Sequence, residues 1–135
     1  MDKKDRIFYR YKHDQTNLKN DCVDLISKSY LMLGQKPDTQ QVVLMAQMLF
    51  NDLVKSYSSM TMDKVNFAFE QGIKFHENGG FVNVRNWNVW LKKFKYDGEV
   101  QQEYQRHLEW SKENDLLITQ TINKAKKIGN NDIDK

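Results

Sequence analysis

The sequence contains one cysteine and one proline, and this scarcity narrows both the fold and the chemistry. Cys22 is the only cysteine, so no internal disulfide framework can form. One proline and six glycines in 135 residues are too few for a many-stranded fold, which needs a turn about every 8–12 residues. We therefore predict an all-α fold class.

Long apolar runs are missing as well. No stretch approaches the ~20 apolar residues of a membrane-spanning helix. No apolar segment follows the charged N terminus in the way that a secretory signal requires. These two absences lead us to expect no membrane partner and a reducing, cytoplasmic setting.

Catalytic and metal-binding patterns are also absent from the sequence. His13, His76 and His107 lie far apart, and Cys22 belongs to no CxxC pair, so we predict no metal site. Gly79-Gly80 lacks the rest of a phosphate-binding loop. Cys22 falls on the apolar face of a predicted helix, where a thiol is typically a small buried hydrophobe. We predict a protein that is not an enzyme and needs no cofactor.

Apolar residues recur at spacings of three and four, which predicts amphipathic helices. We expect helices that begin after Thr16, Asp38, Thr61 and Asn86, followed by a long helix from Glu99 to about Ile128. The expected core consists of Ile26, Leu49, Phe50, Leu53, Phe69, Ile73, Trp90, Leu91 and Phe94.

These elements predict a single compact bundle of four to five helices, with a long C-terminal helix and a basic N-terminal arm. The expected boundaries are 1–13 for the basic aromatic arm, 14–128 for the helical domain and 129–135 for a flexible tail.

The formal net charge of +3 is concentrated in two short segments, of which the N-terminal arm is the first. Cations contact phosphates, and aromatic rings can stack on unpaired bases. The arm is therefore a candidate site for nucleic acid or another partner. An alternative is that its aromatic side chains simply pack on the body of the protein. Its candidate residues are Lys3, Lys4, Arg6, Tyr9, Arg10, Tyr11 and Lys12.

The second basic segment, residues 85–95, contains no acidic residue. Its apolar residues Trp87, Trp90, Leu91 and Phe94 have helical spacing, which is typical of a core-facing helix. Its cations would then form a positive ridge suited to nucleic acid or to an acidic protein groove; a solvated face without a partner is the alternative. The candidate residues here are Arg85, Lys92, Lys93 and Lys95.

Residues 35–95 combine three recognisable stretches. An apolar helix ends in Leu53-Val54-Lys55-Ser56-Tyr57, a second leads to Ala68-Phe69, and a third contains Trp87-Asn88-Val89-Trp90-Leu91. This order resembles small phage and prophage proteins of the helicase-loader and loader-inhibitor type. The resemblance implies a helix bundle that works in the cytoplasm of a host cell, and it carries over no catalytic residue.

Two functional hypotheses follow. The first is a non-enzymatic, phage-type binding protein that acts on a nucleoprotein machine, most concretely in replicative helicase loading. The second is a phage-encoded inhibitor of a host defence nuclease, of the anti-CRISPR type, that binds the protein or its guide RNA. The expected partners are accordingly a helicase or a CRISPR nuclease, together with nucleic acid, and a small enzyme is the third and weakest hypothesis.

Overall fold

The computed structural model describes the backbone of residues 3–133 and the side chains of residues 3–126. No strand occurs among these residues, and an isolated bridge joins Arg6 to Thr61. The predicted all-α class is confirmed, although the described helices number six rather than four or five. They are α1 (Ile7–His13), α2 (Gln15–Met32), α3 (Thr39–Ser56), α4 (Met62–Phe75), α5 (Val84–Tyr96) and α6 (Gly98–Ile133).

The chain divides into two compact units, Met1–Asp97 and Gly98–Lys135. The division falls inside the predicted 14–128 domain. The first unit contains α1 to α5, and the second contains α6.

The ends of the helices in the first unit follow local chemistry. Gly34 follows α2 with a φ of 69°, a left-handed conformation that glycine adopts without strain. The Thr61 hydroxyl accepts a hydrogen bond from the Lys64 amide and caps α4, as predicted. Helix α5 is capped by Asn83 instead of Asn86, because the Asn83 side chain accepts from the Asn86 amide at 2.9 Å.

The N-terminal segment is part of the folded unit and is not a free arm. A 3-10 turn, Lys3–Asp5, leads into α1. Ile7 is completely buried, and its amide donates to the Met60 carbonyl at 2.9 Å, while the Phe8 amide donates to Ser58 at the same distance. Burial of Ile7 and these two tertiary hydrogen bonds therefore hold the segment against the rest of the first unit. Residues 1 and 2 of the predicted arm lie outside the described residues.

The core of the first unit forms where α2 packs against α3 and α4 packs against α5. The ring of Phe69 contacts both tryptophans of α5, with centroid distances of 6.2 Å to Trp87 and 5.3 Å to Trp90. All the predicted core residues are buried except Ile73, which is partly exposed.

The second unit is one helix of 36 residues, which corresponds to a length of about 54 Å. Its backbone stays helical through Gly129 to Ile133, where we had predicted a flexible tail. A single glycine costs a helix only about 1 kcal/mol relative to alanine, and no proline follows it. Residues 134 and 135 of the predicted tail lie outside the described residues.

Among the described residues, no helix combines the length and the apolar character needed to cross a membrane.

Candidate functional site

Helix α5 carries most of its positive charge on one side. At about 100° per residue, Arg85, Val89, Lys92, Lys93 and Tyr96 fall on the same side of the helix, and all five are exposed. We call this set the basic face of α5. Tyr96 is 75% exposed, so this aromatic ring is available to a ligand.

The opposite side of α5 is buried. Trp87, Trp90, Leu91 and Phe94 are all nearly or completely inaccessible, as the sequence predicted for the apolar positions of this segment. Burial of four large side chains fixes the helix to the core. The cations of the basic face therefore project from a rigid support.

A polar cluster between α3 and α5 fixes the rotation of α5 about its axis. Asp52 accepts hydrogen bonds from Trp87 Nε1 at 2.8 Å and from Asn88 Nδ2 at 3.1 Å. The Tyr57 hydroxyl donates to Asn88 Oδ1 at 2.8 Å. Burial, together with the nearby Asp52 carboxylate, raises the pKa of Tyr57, so this hydroxyl keeps its proton and its role as a donor at neutral pH.

The start of α5 is held by a second polar contact. The buried Asn86 side chain donates to the carbonyls of Asn78 at 3.0 Å and Phe81 at 2.9 Å. These bonds tie the turn between α4 and α5 to the first turn of α5. They also explain why Asn86 lies inside the helix, where the sequence had predicted a capping residue.

Lys95 differs from the other cations predicted in this segment. It is half-buried, and its Nζ lies 5.5 Å from the centre of the Tyr96 ring, within the range of a cation–π contact. Sequence reasoning missed Tyr96, which lies three helical turns after Arg85. Its spacing from the cations would have identified it, because Arg85, Lys92 and Tyr96 follow one another at helical intervals.

The N-terminal candidate residues occupy a different environment. Lys3, Lys4, Tyr11 and Lys12 are exposed, whereas Arg6, Tyr9 and Arg10 are partly buried. Arg10 is engaged in ion pairs, since its Nη1 lies 2.6 Å from Asp21 Oδ2 and its Nε lies 3.4 Å from Asp14 Oδ2.

Arg10 and Lys4 also line a polar cleft of about 640 Å³. Its other charged residues are Lys28 and the aspartates Asp5, Asp14, Asp21, Asp24 and Asp63. Five carboxylates against three cations make this cleft unfavourable for phosphate. The basic N-terminal sequence therefore does not build a basic surface around Arg10, although Lys3 and Lys12 remain exposed.

Cys22 has no features of a nucleophile. Its side chain is completely buried on α2, and burial raises its pKa to about 12, with a smaller contribution from Asp21. The thiol is therefore protonated at neutral pH and out of reach of a substrate. Within the residues that the structure describes, no group of three or more His, Cys, Asp or Glu side chains is arranged to hold a metal ion.

Comparisons with protein-family models, with curated proteins and with solved structures find no match to this chain. Function is therefore inferred from the surface chemistry of the protein itself.

Proposed function

We propose that the protein is a non-enzymatic binding protein and that the basic face of α5 contacts the phosphate backbone of a nucleic acid. The observation that carries this proposal is the exposure of Arg85, Lys92 and Lys93 on one side of a helix whose other side is buried in the core. No acidic residue occurs between positions 85 and 95 to offset them.

The dimensions of the basic face suit a phosphate backbone. Arg85 and Lys93 are separated by about 12 Å along the helix axis, at 1.5 Å per residue. Successive phosphates of one DNA strand are about 3.4 Å apart along the duplex axis, so the three cations can reach different phosphates. An arginine adds bidentate contacts, which a lysine does not provide.

Tyr96 favours single-stranded nucleic acid as the ligand. Its exposed ring lies at the end of the basic face, where it can stack on an unpaired base. Bases within a duplex are already stacked on each other and do not offer a free face. Cations for the backbone and a ring for the bases are the two components of a single-strand binding surface.

The proposed biological setting is a phage or prophage nucleoprotein machine, most concretely one that loads a replicative helicase. The resemblance of residues 35–95 to helicase loaders and loader inhibitors supports it, and these residues contribute helices α3 to α5. A protein partner is supported by the exposed apolar residues Val43, Leu44 and Met48 on α3. Inhibition of a host defence nuclease is the alternative. In that case the basic face of α5 would bind the guide RNA of the nuclease or an acidic surface of the nuclease itself.

The test is titration of a labelled single-stranded oligonucleotide with the full chain at two salt concentrations. Three phosphate contacts predict a log–log slope of about −2, at roughly −0.7 for each contact. The triple variant Arg85→Glu, Lys92→Glu, Lys93→Glu should abolish saturable binding. The matched control is Lys36→Glu, Lys55→Glu, Lys74→Glu, which changes the net charge equally at three other exposed lysines.

The comparison between these two triple variants decides the proposal. Loss of binding in the α5 variant alone supports direct contact with phosphates. Equal loss of binding in both variants would show that binding depends on net charge and not on the basic face of α5, which would contradict the proposed site. Absence of binding by the unmodified chain at low salt would also contradict the proposal, and it would favour a protein target.

A further inference from the structure

Helix α6 exposes four large apolar side chains on one side. At about 100° per residue, Trp110, Leu117, Ile118 and Ile122 fall within about 140° of the helix circumference. Each of them is roughly half exposed, between 48% and 62%. We call this set the apolar face of α6. Isolated exposed apolar residues are ordinary, but a row of them along one helix indicates a surface that binds another apolar surface.

The charges of α6 are divided along its length. The N-terminal half, residues 98–115, has more carboxylates than cations, while the C-terminal half, residues 116–133, has three lysines, Lys124, Lys126 and Lys127, and one carboxylate, Asp132. The carboxylates of the first half are Glu99, Glu103, Glu109, Glu113 and Asp115, and its cations are Arg106 and Lys112.

This charge division favours one kind of partner. Two α6 helices side by side in the same direction would place their acidic halves together, which costs energy. The same two helices in opposite directions, centred near residue 118, would place Glu113 and Asp115 of each copy near Lys124 and Lys126 of the other. In a reversed copy, the carboxylates near the middle of the helix can therefore pair with lysines while the two apolar faces meet around Ile118.

We propose that two copies of the chain associate through the apolar faces of α6 in an antiparallel pair, with the two-fold axis at Ile118. A two-fold axis makes the interface self-complementary, as in most homodimers. In this register, positions whose numbers add up to 236 lie opposite each other. Asn114 then faces Ile122 of the other copy, and Glu113 lies next to Lys124 of the other copy.

The first test is the mass of the full chain in solution by sedimentation velocity between about 1 and 200 µM. We expect a reversible dimer. Ile118→Gln should weaken the dimer at least tenfold, since it places an amide at the centre of the apolar face. The matched control is Leu116→Gln, because Leu116 is as exposed as Ile118 but lies on the opposite side of α6.

A change of less than twofold is expected for the Leu116 control. A monomer throughout the concentration range, a trimer or larger assembly, or equal effects of the two substitutions would overturn the proposal.

The second test determines the direction of the helices by oxidative cross-linking of introduced cysteines. The native Cys22 can remain, because its thiol is buried. Ile118→Cys should cross-link to itself across the two-fold axis. Ile122→Cys should not, since the two copies of this position would be offset by eight residues, about 12 Å, and a disulfide needs Cα atoms within ~7 Å.

A mixture of the Ile122→Cys and Asn114→Cys chains should form a mixed disulfide. A parallel pair predicts the reverse pattern, in which Ile122→Cys links to itself and the mixture gives no mixed product. That reverse pattern would overturn the antiparallel arrangement.

Discussion

Gly72 and Trp90 set how closely α4 and α5 approach each other. A Cβ atom at Gly72 would lie 2.2 Å from the Trp90 ring, much closer than two carbon atoms can pack. Trp90 is itself 2% exposed, so its ring is enclosed by the core and cannot turn out into solvent. The glycine is thus required by the neighbouring indole, whatever the helix propensity of the position.

The first prediction concerns this contact. Gly72→Ala should lower the free energy of unfolding by about 1–3 kcal/mol, the usual cost of overpacking a core. The matched control is Gly80→Ala, because a Cβ atom at Gly80 meets nothing within 4 Å. Urea unfolding of both variants measures the difference. If the two substitutions had the same small effect, the close packing of Trp90 on α4 would be wrong.

Helix α5 shows which features of an element can be read from a sequence. Its apolar positions were predicted correctly, since helical spacing alone assigns Trp87, Trp90, Leu91 and Phe94 to one side. Its cap was assigned to Asn86 instead of Asn83, because both are good capping residues and only tertiary contacts decide between them. Tyr96 was missed because an aromatic residue near a helix end is as typical of the core as of the surface.

Helix α1 could not have been predicted from its own sequence. It has only seven residues, well below the ~12–15 that a helix needs to be marginally stable in water. Its amides at Ile7 and Phe8 are paired with Met60 and Ser58, which are distant in sequence. The boundary at Gly98 was not assigned either, because the sequence left open whether the long C-terminal helix packs on the body or leaves it.

The second prediction concerns the role of Tyr96 at the end of α5. Tyr96→Ala should weaken binding to a single-stranded oligonucleotide by about five- to 150-fold, which corresponds to the ~1–3 kcal/mol of one stacked base. Tyr96→Phe should bind like the unmodified chain, because it keeps the ring. The salt dependence should be unchanged in both variants, since neither substitution removes a cation from the basic face. Full affinity in Tyr96→Ala would rule out stacking on this residue.

On the scale of the whole molecule, the N-terminal segment contributes stability to the first unit. Ile7→Ala should cost about 2–5 kcal/mol, the usual loss for a fully buried aliphatic side chain, and thermal melting would register it as a clear drop in Tm. Lys3→Ala and Lys12→Ala are the controls, and each should change stability by less than about 0.5 kcal/mol. An unchanged Tm in Ile7→Ala would indicate a mobile arm and would contradict the role of this segment in stability.

The division of the chain into two units also separates its three tryptophans. Trp87 and Trp90 are buried in the core of the first unit, whereas Trp110 on α6 is 62% exposed. Their intrinsic fluorescence should therefore contain a blue component that iodide cannot quench and a red component that it can. The red, quenchable emission is a natural optical label for α6, so contacts of this helix can be followed without attaching a dye, while the blue emission independently reports whether the first unit remains folded.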